Sequence, residues 1–239
     1  MKRFNFFMVL VFAAGCLHVY AGNLSHIPFK TAKWTQEAVV EGKDFSQKMK
    51  NKVYFSGGKM RIEGAVEGAG PKKTEQITII DGDTIYSYDA KSKQGVKMSA
   101  AAGKGSNPEA MNAEFEKCRK GAKKSGTEKI SGVKCSIISY TCSIDGVKYK
   151  VKEWLSTADK FPMKTESKGG GVSTASVITS LKKNTKIDPA KFKPDKAVKF
   201  MEMGKGMPDM GKMMKDAGAD DADEGEAEMM KNMMKNMFK

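Results

Sequence analysis

Apolar residues at every second position, broken by glycine-bearing turns, constrain this chain more than anything else in it. In Lys48–Phe55, Met49, Val53 and Phe55 fall on one side, with Lys48, Lys50 and Lys52 on the other. Lys59–Glu67 repeats the pattern, Met60, Ile62, Gly64 and Val66 against Arg61, Glu63 and Glu67. In Trp34–Glu41, Trp34, Ala38 and Val40 oppose Thr35, Glu37 and Glu41. A period of two belongs to a strand, and over successive strands it means an antiparallel sheet with one wet face. The interruptions are turn chemistry: Ser56-Gly57-Gly58, Asp81-Gly82-Asp83, Asp145-Gly146 and Gly169-Gly170-Gly171 suit tight hairpins. With further runs at 76–80, 84–88, 135–144, 147–156, 163–167 and 172–183, nine runs are distinct, and the pattern predicts about ten or eleven strands in all, in sequential hairpins. A meander of that length must curl or close.

One helix interrupts it. Asn107 can cap, Pro108 suits the first helical position and Glu109 complements the helix dipole. Met111, Phe115, Cys118 and Ala122 then follow at helical spacing, with Gly121 and Gly126 near the end. Ser99–Ser106 before it reads as a hinge, and Pro189–Phe192 as a further short helical turn. The fold class is therefore α+β, mainly antiparallel β.

The 239 residues are 40% hydrophobic, enough to bury a core, and carry a net charge of +14. Only His18 and His26 are present, which leaves no material for a Ser–His–Asp triad, a Cys–His dyad or a histidine-rich zinc site. No paired carboxylates and no nucleophile with a base stand out. The chain reads as a binding module rather than an enzyme, with no cofactor expected.

Residues 1–21 read as an export signal: Lys2 and Arg3 begin it, and Phe4–Ala14 is apolar but too short to span a bilayer. Val19-Tyr20-Ala21 suits cleavage before Gly22, whereas Ala13-Ala14-Gly15-Cys16 resembles a lipobox that would put a lipid on Cys16. The first places the protein in the periplasm of a diderm bacterium. The second makes it an outer-membrane lipoprotein anchored through Cys16. Residues 22–199 form the main domain and carry +15, while 200–239 form a tail that carries −3. In an exported protein that excess points to anionic head groups or acidic partner surfaces, not to nucleic acid.

Export places Cys118, Cys135 and Cys142 in an oxidising compartment. Cys135 and Cys142 share one predicted strand, about 23 Å apart if extended, too far for a disulfide. Cys118 is expected to pair with Cys135 or Cys142, and the remaining thiol to be buried.

The run Gly58-Lys59-Met60-Arg61-Ile62-Glu63, then Ile79-Ile80-Asp81-Gly82-Asp83-Thr84-Ile85-Tyr86-Ser87-Tyr88-Asp89, then Glu153-Trp154-Leu155-Ser156 and Phe161-Pro162-Met163-Lys164, closes on Asn184-Thr185-Lys186-Ile187-Asp188-Pro189 and Phe192. In order and spacing this resembles the LolA/LolB-like superfamily of bacterial lipoprotein carriers and their exported relatives, over roughly residues 31–195. The resemblance implies an unclosed, curved half-barrel covered by helices. It also implies binding of lipoprotein acyl chains or a similar lipid, with a membrane surface or membrane receptor as further partner. The functional arginine of the carriers has no clear counterpart, because Arg61 falls on the outward face. The lipid-binding cavity is expected to be lined by Trp34, Val40, Met49, Val53, Phe55, Met60 and Ile62, with Met111 and Phe115 on the helical lid. Thioethers repack readily, so methionines there would make an adaptable lining.

The tail holds 11 of the 18 methionines. One reading is an amphipathic helix. The alternative is soft-metal capture, with Met207, Met210, Met213 and Met214 as thioether ligands for Cu(I) or Ag(I).

Overall fold

A computed structural model of the chain describes residues 24, 27–67, 74–99, 108–144 and 146–203, with backbone alone at 66, 67, 74, 108–113 and 203. The export segment, Cys16 and the methionine tail from 204 onward lie outside the described residues. The strands are β1 (Thr31–Gly42), β2 (Phe45–Ser56), β3 (Lys59–Glu67), β4 (Thr74–Asp81), β5 (Thr84–Asp89) and β6 (Gln94–Ser99). Helix α1 (Pro108–Lys120) follows, then β7 (Lys123–Ile130), β8 (Val133–Ile144), β9 (Val147–Ser156), β10 (Pro162–Gly169), β11 (Val172–Lys183), a 3-10 turn at Pro189–Phe192, and β12 (Lys199–Met203).

All twelve strands form one open, curved sheet in the order β12-β6-β5-β4-β3-β2-β1-β11-β10-β9-β8-β7. It consists of two meanders, β1–β6 and β7–β11, that meet where β1 pairs with β11 along nearly its whole length. Every pairing is antiparallel except β12 against β6. Among the described residues the edges, β12 and β7, do not pair with each other, so the sheet stays unclosed. The β2–β3 hairpin turns on Gly57 and Gly58 at φ +55° and +78°, the left-handed pair a two-residue turn needs.

Among the described residues there are thus twelve strands, where about ten or eleven were expected. Those that alternation leaves out are β6, β7 and β12. Edge strand β7 (KKSGTEKI) is exposed along all but its last residue, so no buried face writes itself into its sequence. Its lysines and glycine also discourage pairing with another chain. The helical cover is smaller than expected: among the described residues there is one helix and one 3-10 turn. No described helix is long and apolar enough to cross a membrane.

Candidate functional site

Register shows how the strands assemble the apolar face. Trp34 lies opposite Val53, which lies opposite Ile62; Ala32 lies opposite Phe55, which lies opposite Met60 and then Ile80. These side chains are buried and form one cluster with Ile27, Phe161 and Met163. Phe161, from the β9–β10 loop, packs edge-on against Trp34 at 5.6 Å and tilted against Phe29 at 4.9 Å.

The expected lining divides into three groups. Trp34, Val53, Phe55, Met60 and Ile62 come together in the large cluster. Val40 and Met49 belong to a smaller one with Ala38, backed by Phe45 and Val172. Between them runs a polar row that alternation did not flag, buried Gln36 opposite buried Asn51, with Gly64 beside it. Phe115 is in neither group: it packs against Tyr149 at 6.3 Å, in a cluster under α1 with Ile138, Tyr140, Val151 and Leu155. Met111 lies in α1, and its side chain is outside the described residues. Met207, Met210, Met213 and Met214 are outside them altogether. Among the described residues, no cluster of three His, Cys, Asp or Glu side chains could hold a metal ion.

Helix α1 is fastened to the sheet at its C-terminal end, while the hinge expected at Ser99–Ser106 lies, from residue 100 on, outside the described residues. Cys118 is disulfide-bonded to Cys142 of β8, which decides between the two pairings, and Cys135 is the free buried thiol. One residue further, Arg119 donates from Nε to Glu153 Oε2 at 2.8 Å and from Nη2 to Glu153 Oε1 at 2.7 Å. Tyr140 donates its hydroxyl to the same carboxylate at 3.2 Å. Burial raises the Tyr140 pKa, and the Glu153 charge adds to the rise. The Arg119–Glu153 pair was not legible in the sequence. Its members lie 34 residues apart and no local pattern joins them.

Arg61 is not a free outward arginine. Its side chain is 12% exposed, paired with Glu63 at 2.8 Å and donating to the Lys191 carbonyl of the 3-10 turn at 3.1 Å. Beyond it the chain returns across the face expected to be wet. Val198 and Phe200 cover Ile77, Ile79, Tyr86 and Tyr88 there. On β4 and β5, both faces of the sheet consequently carry buried residues, Ile79 and Tyr88 on one and Ile80 and Ser87 on the other.

Two carboxylates tie down these late segments and make the fold acid-sensitive. Burial raises the pKa of Glu63, but hydrogen bonds and charge from Arg61 and Lys191 outweigh it, so the net pKa is lowered. At Asp159 burial is likewise outweighed, by the Lys183 ammonium and by hydrogen bonds that include the Phe161 N–H. A lowered folded pKa stabilises above the unfolded values of 4.5 and 3.8 and is lost as pH falls through the folded ones. The melting temperature is expected to hold from pH 7 to 5 and to fall below pH 4, with a smaller fall in Asp159→Asn. An identical acid profile for that variant would refute the assignment.

The opposite face over β7–β11 and β1 carries an open trough of about 1000 Å³. Its lining includes two neighbouring register rows, with Tyr140, Val151, Ser167 and Thr174 at the intervening strand positions and Cys118 and Gly121 where it reaches the end of α1. One runs Lys123, Ser139, Lys152, Glu166, Ala175, Val39; the other runs Thr141, Lys150, Lys168, Ser173, Glu41. Residues two apart on a strand share a face, so the trough crosses six strands, roughly 24 Å at the usual strand spacing. Next to it Trp154 is buried beneath the lysine stems, with Lys152 and Lys164 ammonium groups 4.6 and 4.2 Å from its ring.

No protein-family model and no curated protein matches the sequence. Solved structures do resemble the fold. An uncharacterized conserved protein from Thermus thermophilus matches at TM-score 0.50 and 12% identity, over 79% of this chain and 99% of that one. The lipoprotein LppX of Mycobacterium tuberculosis matches at TM-score 0.44 and 12% identity, over 73% and 98%. A LolA superfamily protein of Nitrosomonas europaea matches at TM-score 0.33 and 14% identity, over 70% and 92%. At such identities the first of these shows a shared fold and nothing of the ligand.

Proposed function

We propose that this is an exported binding protein that holds acyl chains of a lipoprotein, or of a similar lipid, against the apolar face of its sheet. The observation that supports this reading is that face itself. Apolar side chains from β1 to β4 (Trp34, Val53, Phe55, Met60, Ile80) join in one stretch, on a sheet whose edges, among the described residues, do not meet. Ile27, Phe161 and Met163 already cover part of this face, so an acyl chain would bind by displacing that cover, gaining about 0.8 kcal/mol per methylene it buries. Methionines 49 and 60 can repack around chains of different length. The polar Gln36–Asn51 row would divide the face, with the larger apolar portion on the Trp34 side.

The test begins with native mass spectrometry of protein purified from its own cells, where a bound acyl species is expected. After delipidation, the folded protein should take up a fluorescent polyunsaturated fatty acid. Met60→Gln is expected to weaken uptake at least tenfold, and Met60→Leu, which keeps size and apolarity, to retain it. Folded wild-type protein that neither carries an acyl species nor takes up the probe would overturn the reading.

A further inference from the structure

The trough on the other sheet face has an electrostatic peculiarity. Lys150 on β9 and Lys168 on β10 are directly opposite each other, both exposed, and neither forms an ion pair with a described residue. Like charges in that position repel and destabilise a sheet. Lys123, at the β7 end of the same trough, forms no ion pair with a described residue, and Lys152 approaches the Trp154 ring. Of the two acids there, Glu166 is already held by Lys164 at 2.7 Å. The trough thus carries surplus positive charge that the described fold does not neutralise.

We propose that this trough binds an extended acidic peptide segment of a partner protein. Its shape selects against the other anions. It is recessed across six strands, which a flat lipid surface would bridge rather than fill. The lysines are spread along it, and the buried Tyr140 at its wall already donates its hydroxyl to Glu153, so it is not free to fix a small anion. No exposed aromatic ring lines it, as a stacked base or sugar would want. An extended peptide at about 3.3 Å per residue would place roughly seven residues in the trough. Acidic side chains could then meet the lysines while Ser139 and Thr141 offer hydroxyls to its backbone. The proposal concerns a different face from the acyl site and does not rest on acyl binding.

Fluorescently labelled octaglutamate, titrated into the full-length protein by anisotropy, tests this. Binding is expected at low salt and should weaken at least tenfold in Lys150→Glu/Lys168→Glu. Lys193→Glu/Lys196→Glu, an equal charge change outside the trough, should leave it within twofold. Lys150→Ser should raise the melting temperature of the peptide-free protein as the like-charge pair is relieved. No peptide binding by folded protein, or equal loss in both double variants, would overturn the proposal. So would binding to phosphatidylglycerol vesicles, but not to the peptide, that the trough variant alone abolishes.

Discussion

Glu153→Gln is expected to lower stability by about 3–5 kcal/mol, the cost of breaking a buried ion pair from one side. Glu153 is 1% exposed, on β9, and its carboxylate takes both arms of the Arg119 fork. Glutamine keeps the volume but removes the charge, and its NH₂ faces a donor where an oxygen accepted. Arg119 is then left largely buried with Glu116 as its remaining carboxylate partner. For a chain of this size the melting temperature should drop on the order of 10 °C. Two further readouts separate the ion pair from generic damage. The Tyr140 phenol, whose pKa is raised partly by the Glu153 charge, should titrate at lower pH in the variant. The apolar double variant Arg119→Met/Glu153→Met should be more stable than Glu153→Gln, because no charge is then stranded. A melting temperature within 2 °C of wild type, an estimate set by about 1 kcal/mol at most, would mean the pair does not hold α1 to the sheet.

Phe161→Ala should cost a similar amount, about 3–5 kcal/mol, by a different mechanism: a cavity where the β9–β10 loop packs onto β1 and the segment ahead of it. Phe161 is 1% exposed and inserts between Trp34 of β1 and Phe29 ahead of it. Its loop is shaped for the insertion. The Phe161 N–H donates to Asp159 Oδ1 at 3.2 Å, and the Ser156 N–H donates to the Phe161 carbonyl at 2.8 Å. Lys183 also pairs with Asp159 and lies 4.9 Å from the Phe29 ring, so several elements share one anchorage. The loss should show as lower melting temperature and altered tryptophan fluorescence, with Phe161→Leu recovering most of it. A variant as stable as wild type would show that the surrounding clusters collapse freely into the space.

Strands that bury one face were legible because burial repeats at the backbone's own period. Trp34, Ala38 and Val40 on β1, and Met49, Val53 and Phe55 on β2, occupy the face their alternation indicates. The polar row within that face was not legible, since Gln36 and Asn51 look like any wet residue in a one-sided strand. Neither was the cover over β3–β6. Val198 and Phe200 sit far along the chain, beyond the last hairpin, and only the parallel pairing of β12 with β6 brings them back. Arg61 and Glu63 therefore read as solvent-facing charges while being half-buried beneath the 3-10 turn.

The cysteines draw the same line. Strand spacing alone excluded a Cys135–Cys142 bridge, because seven extended residues separate the thiols by more than a disulfide can span. Which of the two would meet Cys118 depended on the face α1 takes. On β8 Cys142 shares a face with Tyr140 and Ile138, beneath the helix, and Cys135 is on the opposite one. Local sequence by itself determined the meander, its turns and the inward side of the central strands, since those follow from backbone period and glycine conformations. Tertiary structure alone decided the twelfth strand's return, the Arg119–Glu153 clamp and the lysine trough. Each of these depends on residues tens of positions apart, brought together by register across strands rather than by any pattern along one.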